Sequence, residues 1–255
     1  MQLPFCWRRF GRAGRPERDF HMPAKRTYMP GPVRKQAILE AAARVFAGKG
    51  YRSASVDDIV EAAEISKGTF YIYFESRKDV FVELVESFFD EFTRILKENH
   101  ERLEQTIDRR GNIIQALREN VMSVLGFHGD NPDLTVIAYR EALARDKEFS
   151  DRFNELNQFA RRLQREEFKT MADRGLMRPE DIDLVTSITM GAAVEVIMEH
   201  ILGKKRPDIE GLADSLLEYH ARALAPKGMN IDKALDEVLK KPGKKSSPGE
   251  ERRSA

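Results

Sequence analysis

The sequence predicts an all-α protein: an N-terminal helix-turn-helix unit followed by a larger helical domain. Three observations carry that prediction. Apolar residues recur at i, i+4, i+7 and i+8 in one segment after another, and no segment sustains period-two alternation. Glycine and proline fall mostly between the periodic stretches. Hydrophobic residues make up 41% and charged residues 33% of the 255-residue chain, which suits a packed core beneath an ionised surface.

Residues 1–33 hold Pro4, Gly11, Gly14, Pro16, Pro23, Pro30, Gly31 and Pro32 without periodicity, the composition of a disordered arm. Arg8, Arg9, Arg12, Arg15 and Arg18 against Glu17 and Asp19 give residues 1–21 a net charge of +3. Two readings stand for this segment: a basic arm that reaches DNA, or a start that truly lies at Met22 or Met29. The single cysteine, Cys6, permits no internal disulfide and fits a reducing, cytoplasmic setting. The longest weakly polar run, Val185 to Met198, reads as too short and too polar to span a bilayer, so no membrane partner is expected.

Arg34 to Lys49 sets Ile38, Ala42, Val45 and Phe46 on one helical face, and Gly50 ends it. Ser55 precedes Val56-Asp57-Asp58-Ile59, an N-cap hydroxyl followed by acids in the first turn, where the helix dipole favours them. This second helix ends near Ala63, a turn follows at Glu64-Ile65, and Ser66 caps a third helix. A long helix runs from Ser76 to about His100 with Val80, Leu84, Phe88, Phe92 and Ile95 as its apolar stripe. Further helices are expected over Ile113 to Leu125, Pro132 to Ala144, Phe149 to Arg174, Ile182 to Leu202 and Ile209 to Leu224. Breakers stand between them at Gly126 to Asn131, Asp173 to Pro179 and Gly203 to Pro207. A short helix over Ile231 to Leu239 is possible within a flexible tail, residues 226–255.

Three short helices, the last two joined by a tight turn, are the plan of a DNA-reading helix-turn-helix. On the third helix Phe70 and Phe74 share a face that packs inward. Gly68 and Ile72 lie opposite, with Thr69 and Tyr71 on the flanks. Gly68 leaves room for a backbone or base edge to approach. Lys67 can neutralise a phosphate, Ser66 and Thr69 can donate to phosphates or bases, Tyr71 can bond a phosphate, and Ile72 can touch a thymine methyl.

Ile38-Leu39-Glu40-Ala41-Ala42, Phe46, Gly50-Tyr51, Ser55-Val56, Ile59, Ser66-Lys67-Gly68-Thr69-Phe70-Tyr71, Phe74 and Lys78 resemble the DNA-binding domain of the TetR family of transcriptional regulators, without a gap from Arg34 to Phe81. The resemblance implies that the Ser66–Tyr73 helix, Tyr73 included, reads the major groove. It also implies that Ser55 and Arg77 or Lys78 hold phosphates. Residues 34–80 then form the DNA-binding domain, and residues 81–225 an effector-binding and dimerisation domain. Glu64 stands where the family often has glycine, so a positive φ is expected at a non-glycine residue. The implied function is that of a repressor released from a palindromic DNA operator by a small-molecule effector and acting as a homodimer.

Phe88, Phe92, Leu117, Val121, Phe153 and Phe159 are candidates for an apolar effector pocket, with Tyr139 and Arg140 at its edge. Val185, Ile188, Ala192, Val196, Leu212, Leu216 and Tyr219 are candidates for a four-helix dimer interface. Enzymatic readings find little support. The five histidines include no close pair, and there is no P-loop or nucleophile elbow, so no catalytic residue, metal or cofactor is assigned. An effector-independent architectural DNA-binding protein and a helical small-molecule enzyme remain the alternatives.

Overall fold

The computed structural model describes residues 31–142, 147–178, 181–202 and 207–239. The basic arm up to residue 30, its alternative starts and the Lys240–Gly249 linker lie outside the described residues. All regular structure among the described residues is helical. The order is α1 (Gly31–Lys49), α2 (Val56–Ala62), α3 (Lys67–Tyr73), α4 (Arg77–Asp108), α5 (Ile113–Asp130), α6 (Pro132–Ala142), α7 (Lys147–Asp173), α8 (Ile182–Val196), a π-helical turn (Ile197–Ile201), α9 (Ile209–Leu224) and α10 (Ile231–Val238).

α1 starts three residues before the expected Arg34, because Pro32 fits a first helical turn, where its missing N–H is no loss. α2 opens on a capping box. The Ser55 hydroxyl accepts from the Asp58 N–H at 3.2 Å, and the Asp58 carboxylate accepts from the Ser55 N–H at 2.9 Å. α3 and α4 begin on Ser66 and Ser76, whose hydroxyls accept from the Thr69 and Asp79 N–H groups. Phe70, Phe74, Ile38, Phe46 and Ile59 are buried together, as the shared face of Phe70 and Phe74 required. The same core continues through Val80, Leu84 and Phe88 of α4 to Leu134, Ile137 and Ala138 of α6, which packs on α1. α1, α2 and α3 are thus joined to the second half of the chain through α4 and α6.

Glu64 adopts φ 53° in the turn between α2 and α3. A left-handed residue with a Cβ is strained by about 1–2 kcal/mol, offset in part by the extra chain entropy that glycine loses on folding. Glu64→Gly is therefore expected to stabilise the domain by about 0.5–1 kcal/mol, read as a raised midpoint in urea unfolding.

Several helices run longer than their sequence signals. α4 reaches Asp108, and α5 passes through Gly126 and Gly129 to Asp130. These glycines do not break α5, because packing outweighs their propensity cost. A Cβ at Gly129 would come within 3.2 Å of Ile209 on α9, so the missing side chain lets those helices close. The tail is not free from residue 226 onward. α10 buries Leu235, Val238 and Leu239 against Ile114, Leu117, Leu217 and Ala221, an apolar face that the sequence already carried at helical spacing.

The Val185–Met198 run belongs to a longer helical stretch, Ile182–Ile201, of 20 residues and mean hydropathy 1.4. By length and composition this stretch is long and apolar enough to cross a membrane, contrary to the reading of the run as too short and too polar. Ile182, Leu184 and Ile201 extend it. The hydroxyls of Thr186, Ser187 and Thr189 bond back to carbonyls of their own helix, which reduces their polarity.

Candidate nucleic-acid interface and effector cavity

α3 divides its residues between two environments. Phe70 is fully buried, whereas Tyr71 is 55% and Ile72 75% exposed. Ser66, Lys67 and Gly68 are also exposed, and Thr69 is half-buried with its hydroxyl 2.9 Å from that of Ser66. An added Cβ at Gly68 would have only the Ser66 hydroxyl within 4 Å, at 3.8 Å, so the glycine presents open backbone. Two large apolar or aromatic side chains beside a lysine on a seven-residue helix form an unusual solvent face and a suitable groove-facing one.

The sequence-predicted DNA residues differ in their partners and exposure. Lys67 pairs with Asp57 at 2.7 Å, an exposed pair that holds its ammonium above the usual range. A phosphate would have to exchange for that carboxylate. Ser55 is engaged in the α2 cap, where its hydroxyl also donates to Asp58 at 2.9 Å. Lys49 adds a 2.5 Å pair to Asp58, and the hydrogen bonds from Lys49 and then Ser55 hold that carboxyl down to about 2. Arg77 donates to the carbonyls of Ala54 and Arg52 and lies over the Tyr51 ring at 4.5 Å. Tyr51 in turn stacks on Phe81 at 4.1 Å. Arg77 thus clamps the loop before α2 to the start of α4. Lys78, one residue on, is exposed, while Tyr73 is half-buried against the core, its hydroxyl near the start of α1.

Between α4, α5, α7, α8 and α9 lies a partly open cavity of about 840 Å³, with Ile231, Ala234 and Glu237 of α10 also in its lining. Phe88, Phe92, Leu117, Val121, Tyr139 and Phe153 line it, as the sequence suggested. Phe159 does not. It lies half-buried elsewhere on α7, beneath the Lys97 ammonium at 5.7 Å and the Arg162 guanidinium at 6.0 Å. The side chain of Arg140 lies outside the described residues.

Apart from Tyr139, the polar lining is not legible in the sequence. His128 is 2% exposed, with Nδ1 3.1 Å from the Thr135 hydroxyl and its ring among Phe88, Phe92, Phe127 and Tyr139. Burial holds its pKa down to about 3, so the ring is neutral, and the same burial pushes the Tyr139 phenol up to about 12. Asn99 donates to the Ser123 hydroxyl at 2.8 Å, and Asn120 donates to the Asn99 carbonyl at 3.1 Å. Glu167 faces His100 Nδ1 at 3.3 Å, and this hydrogen bond raises the His100 pKa. Spacing alone cannot show such pairings, since each joins residues on different helices. Among the described residues, no three or more His, Cys, Asp or Glu side chains converge as a metal site.

The proposed interface residues divide. Ile188 and Tyr219 are exposed. Val185 packs inward near Leu103 and Phe168, while Val196, Leu212 and Leu216 pack around Leu125 and Ile197. Ala192 is half-buried. The exposed stripe of α8 and of the π-helical turn after it runs through Leu184, Ile188, Gly191, Glu195 and Met198, so it keeps Ile188 and takes Leu184 in place of Val185.

Residues 38–84 match the family model described as bacterial regulatory proteins, tetR family. YuxN of Bacillus subtilis, an HTH-type transcriptional regulator, is 44% identical over 64 residues, 25% of this chain and 22% of that protein. The fatty acid metabolism regulator protein of the same organism is 21% identical over 186 residues, 71% of this chain and 90% of that protein. The chain thus spans about a fifth of YuxN, and it spans 52% of a second B. subtilis regulator, YhgD. Among solved structures, the ketosteroid transcriptional regulator KstR2 of Mycobacterium tuberculosis shares the fold with TM-score 0.59 at 23% identity, over 76% of this chain and 96% of that one. The SmeT–triclosan complex does so with TM-score 0.58 at 16% identity, over 77% and 93%. The capped helices, the left-handed turn residue and the two-faced third helix all lie inside or beside the matched segment, so residues 38–84 form a DNA-binding domain of the kind found in the tetR family of bacterial regulatory proteins.

Proposed function

We propose that the protein is a cytoplasmic, sequence-specific transcriptional repressor that binds a palindromic operator as a homodimer and leaves it when a small molecule fills the cavity. The observation that carries this reading is the opposed character of α3, Phe70 sealed in the core and Tyr71 and Ile72 offered outward. The cavity supports the effector role. Its volume suits a small molecule, and Ala138 and Tyr139 of α6 line it while Leu134 and Ile137 of the same helix pack in the core shared with α1. A ligand that displaces α6 or α4 therefore acts on the helices that set the angle of α3. Only a ligand that favours one spacing of the two reading heads changes operator affinity, by a coupling of about 1–3 kcal/mol. The SmeT–triclosan complex, as a ligand-bound relative in fold, agrees with this use of the second domain.

The dimer reading rests on Leu184 at 57%, Ile188 at 50% and Tyr219 at 66% exposure, with Gly191 leaving open space for a facing helix. Burial of this face against a second copy also accounts for the apolar character of the 182–201 stretch. The double variant Leu184→Asp, Ile188→Asp is expected to sediment as a monomer. It should lose about a hundredfold or more in affinity for a two-half-site operator, while a single half-site binds unchanged.

Selection of bound duplexes from a random pool tests the whole reading. A palindromic consensus with half-sites about one helical turn apart is expected. Binding with no sequence preference would instead support an architectural role. Lys67→Ala should weaken binding to every duplex and lower the salt slope by about one.

A further inference from the structure

The cavity has two unlike ends. The exposed residues of its lining are Arg110, Gly111, Asn112, Gly175, Met229 and Glu237. All of them lie on α10 or in the turns before α5, after α7 and before α10. These elements come together, since α10 packs on Ile114 and Leu117 of α5, and Leu117 shares a cluster with Leu176 and Leu224. This end is the mouth. At the other end the lining is Phe88, Phe89, Phe92, His128, Ala138 and Tyr139, none of them exposed. Between the two ends α5 lines the cavity from Ile113 to His128, roughly 22 Å at 1.5 Å per residue. A volume of about 840 Å³ over that length fits a long molecule, whereas a compact one would fill only one end.

The two ends also touch different cores. Phe88, Phe89 and Ala138 belong to the cluster that contains Ile38, Phe46 and Phe70, the side chains that hold α1 and α3. On the mouth side, Phe168, Met171, Met177 and Leu217 belong to two clusters with no described residue of α1, α2 or α3. A ligand confined to the mouth half has no contact that depends on where α3 stands. A ligand with equal affinity for both placements shifts neither, however tightly it binds.

Several polar side chains along the inner wall are already paired within the protein. Asn99 bonds Ser123, Asn157 the Phe153 carbonyl, Thr189 the Val185 carbonyl and His128 the Thr135 hydroxyl. A polar head drawn inside would lose its water for little in return. At the mouth it stays hydrated, beside one exposed side chain of each sign, Arg110 and Glu237.

Resting on the effector reading above, we propose that the cavity measures chain length. The effector is a long-chain amphiphile that keeps its head at the mouth, and only a chain that reaches Phe88, Phe92 and Ala138 releases the operator. Shorter homologues bind without acting. An extended chain advances about 1.2 Å per bond, so the threshold falls at roughly 14–18 carbons.

n-Alkylphosphocholines from decyl to octadecyl, each below its micelle concentration, test this on the full-length protein with a duplex that the protein selects. Calorimetry measures binding, and anisotropy of the labelled duplex measures release at matched occupancy. Affinity is expected to rise about fourfold per CH₂ as the chain enters. At matched occupancy decyl and dodecyl chains should leave operator affinity within about twofold, and octadecyl should lower it about tenfold or more. Val124→Trp, one turn before His128, narrows the inner half. It should abolish release by the octadecyl chain and leave decyl binding within about twofold. Equal release by all lengths at matched occupancy would overturn the length rule and leave the effector cavity standing. So would binding by the longest homologues alone, since length would then act on affinity and not on release. Binding at every length with release at none would refute the effector role itself. No binding at any length would overturn the assignment of an amphiphile. The wild-type series needs no variant, so a poorly folded Val124→Trp does not protect the idea.

Discussion

Phe70→Ala is expected to cost about 3–5 kcal/mol of stability and to remove operator binding altogether. The ring is fully buried, against Ile38, Phe46, Ile59 and Phe74, and it sits at the middle of a helix of only seven residues. A helix that short has little stability of its own, so its shape depends on that one side chain being packed. Tyr71→Ala and Ile72→Ala are the matched controls on the opposite side. Both side chains are largely exposed, so unfolding midpoints should stay within about 0.5 kcal/mol of the wild type. Operator affinity should nonetheless fall by about 1–3 kcal/mol, and the preferred base at the facing position should change. Thermal unfolding and gel-shift titration on the same preparations separate the cases. If Phe70→Ala binds DNA normally, or if Tyr71→Ala and Ile72→Ala lose stability but not affinity, the assignment of the two faces is wrong.

This contrast also shows why the N-terminal unit was readable from sequence and much of the rest was not. Ser55, Ser66, Phe70, Phe74 and Glu64 act over three or four residues, through caps, a shared helix face and a turn. Sequence spacing determines such features directly. Gly126 and Gly129 gave the wrong signal because their helix is sustained by α9, about eighty residues away. On α8, Val185 turns inward and Leu184 outward, while Ile188 is exposed. On an apolar helix several faces are greasy, and only the fold decides which one the chain covers. Phe159 has a pocket residue's hydrophobicity, yet it lies outside the cavity lining beneath Lys97 and Arg162. Apart from Tyr139, the polar lining, Asn99, Asn120, His128 and Glu167 among it, has no local signal in the sequence.

Acidification from pH 6.5 toward pH 4 is expected to destabilise the protein by an amount traceable to His128. In the unfolded chain its imidazole takes up a proton below about pH 6.5. In the native protein burial delays protonation until about pH 3. Over that window the unfolded state binds more protons, so stability falls with pH, by about 1.4 kcal/mol per unit well below pH 6.5. His100 acts in the opposite sense. Its pKa is raised by Glu167, so its contribution is complete below its ordinary value and is lost as pH rises through the raised one. Asp58 enters only at lower pH, because its contribution is present above its ordinary value and disappears as pH falls toward about 2. Between pH 6.5 and 4.5 the histidine on α5 therefore sets the slope against the His100 background. His128→Phe keeps an aromatic ring beside Phe88 and Phe92 and removes the titrating group, at the cost of the bond to Thr135. Urea unfolding at half-unit steps should give the wild type a loss of about 2 kcal/mol between pH 6.5 and 5 that His128→Phe lacks. Parallel pH profiles for the two proteins would mean that native His128 titrates near its ordinary pKa. Glu167→Gln supplies the opposite control, since it should weaken the fall in stability on the alkaline side and leave the acid limb in place. Because His128 also lines the cavity, the acid limb reports on the same wall that an effector would touch. A bound ligand stabilises the native state by mass action and should raise the whole profile. If the ligand also holds the ring neutral, it should steepen the loss below pH 6.5 as its own affinity fades.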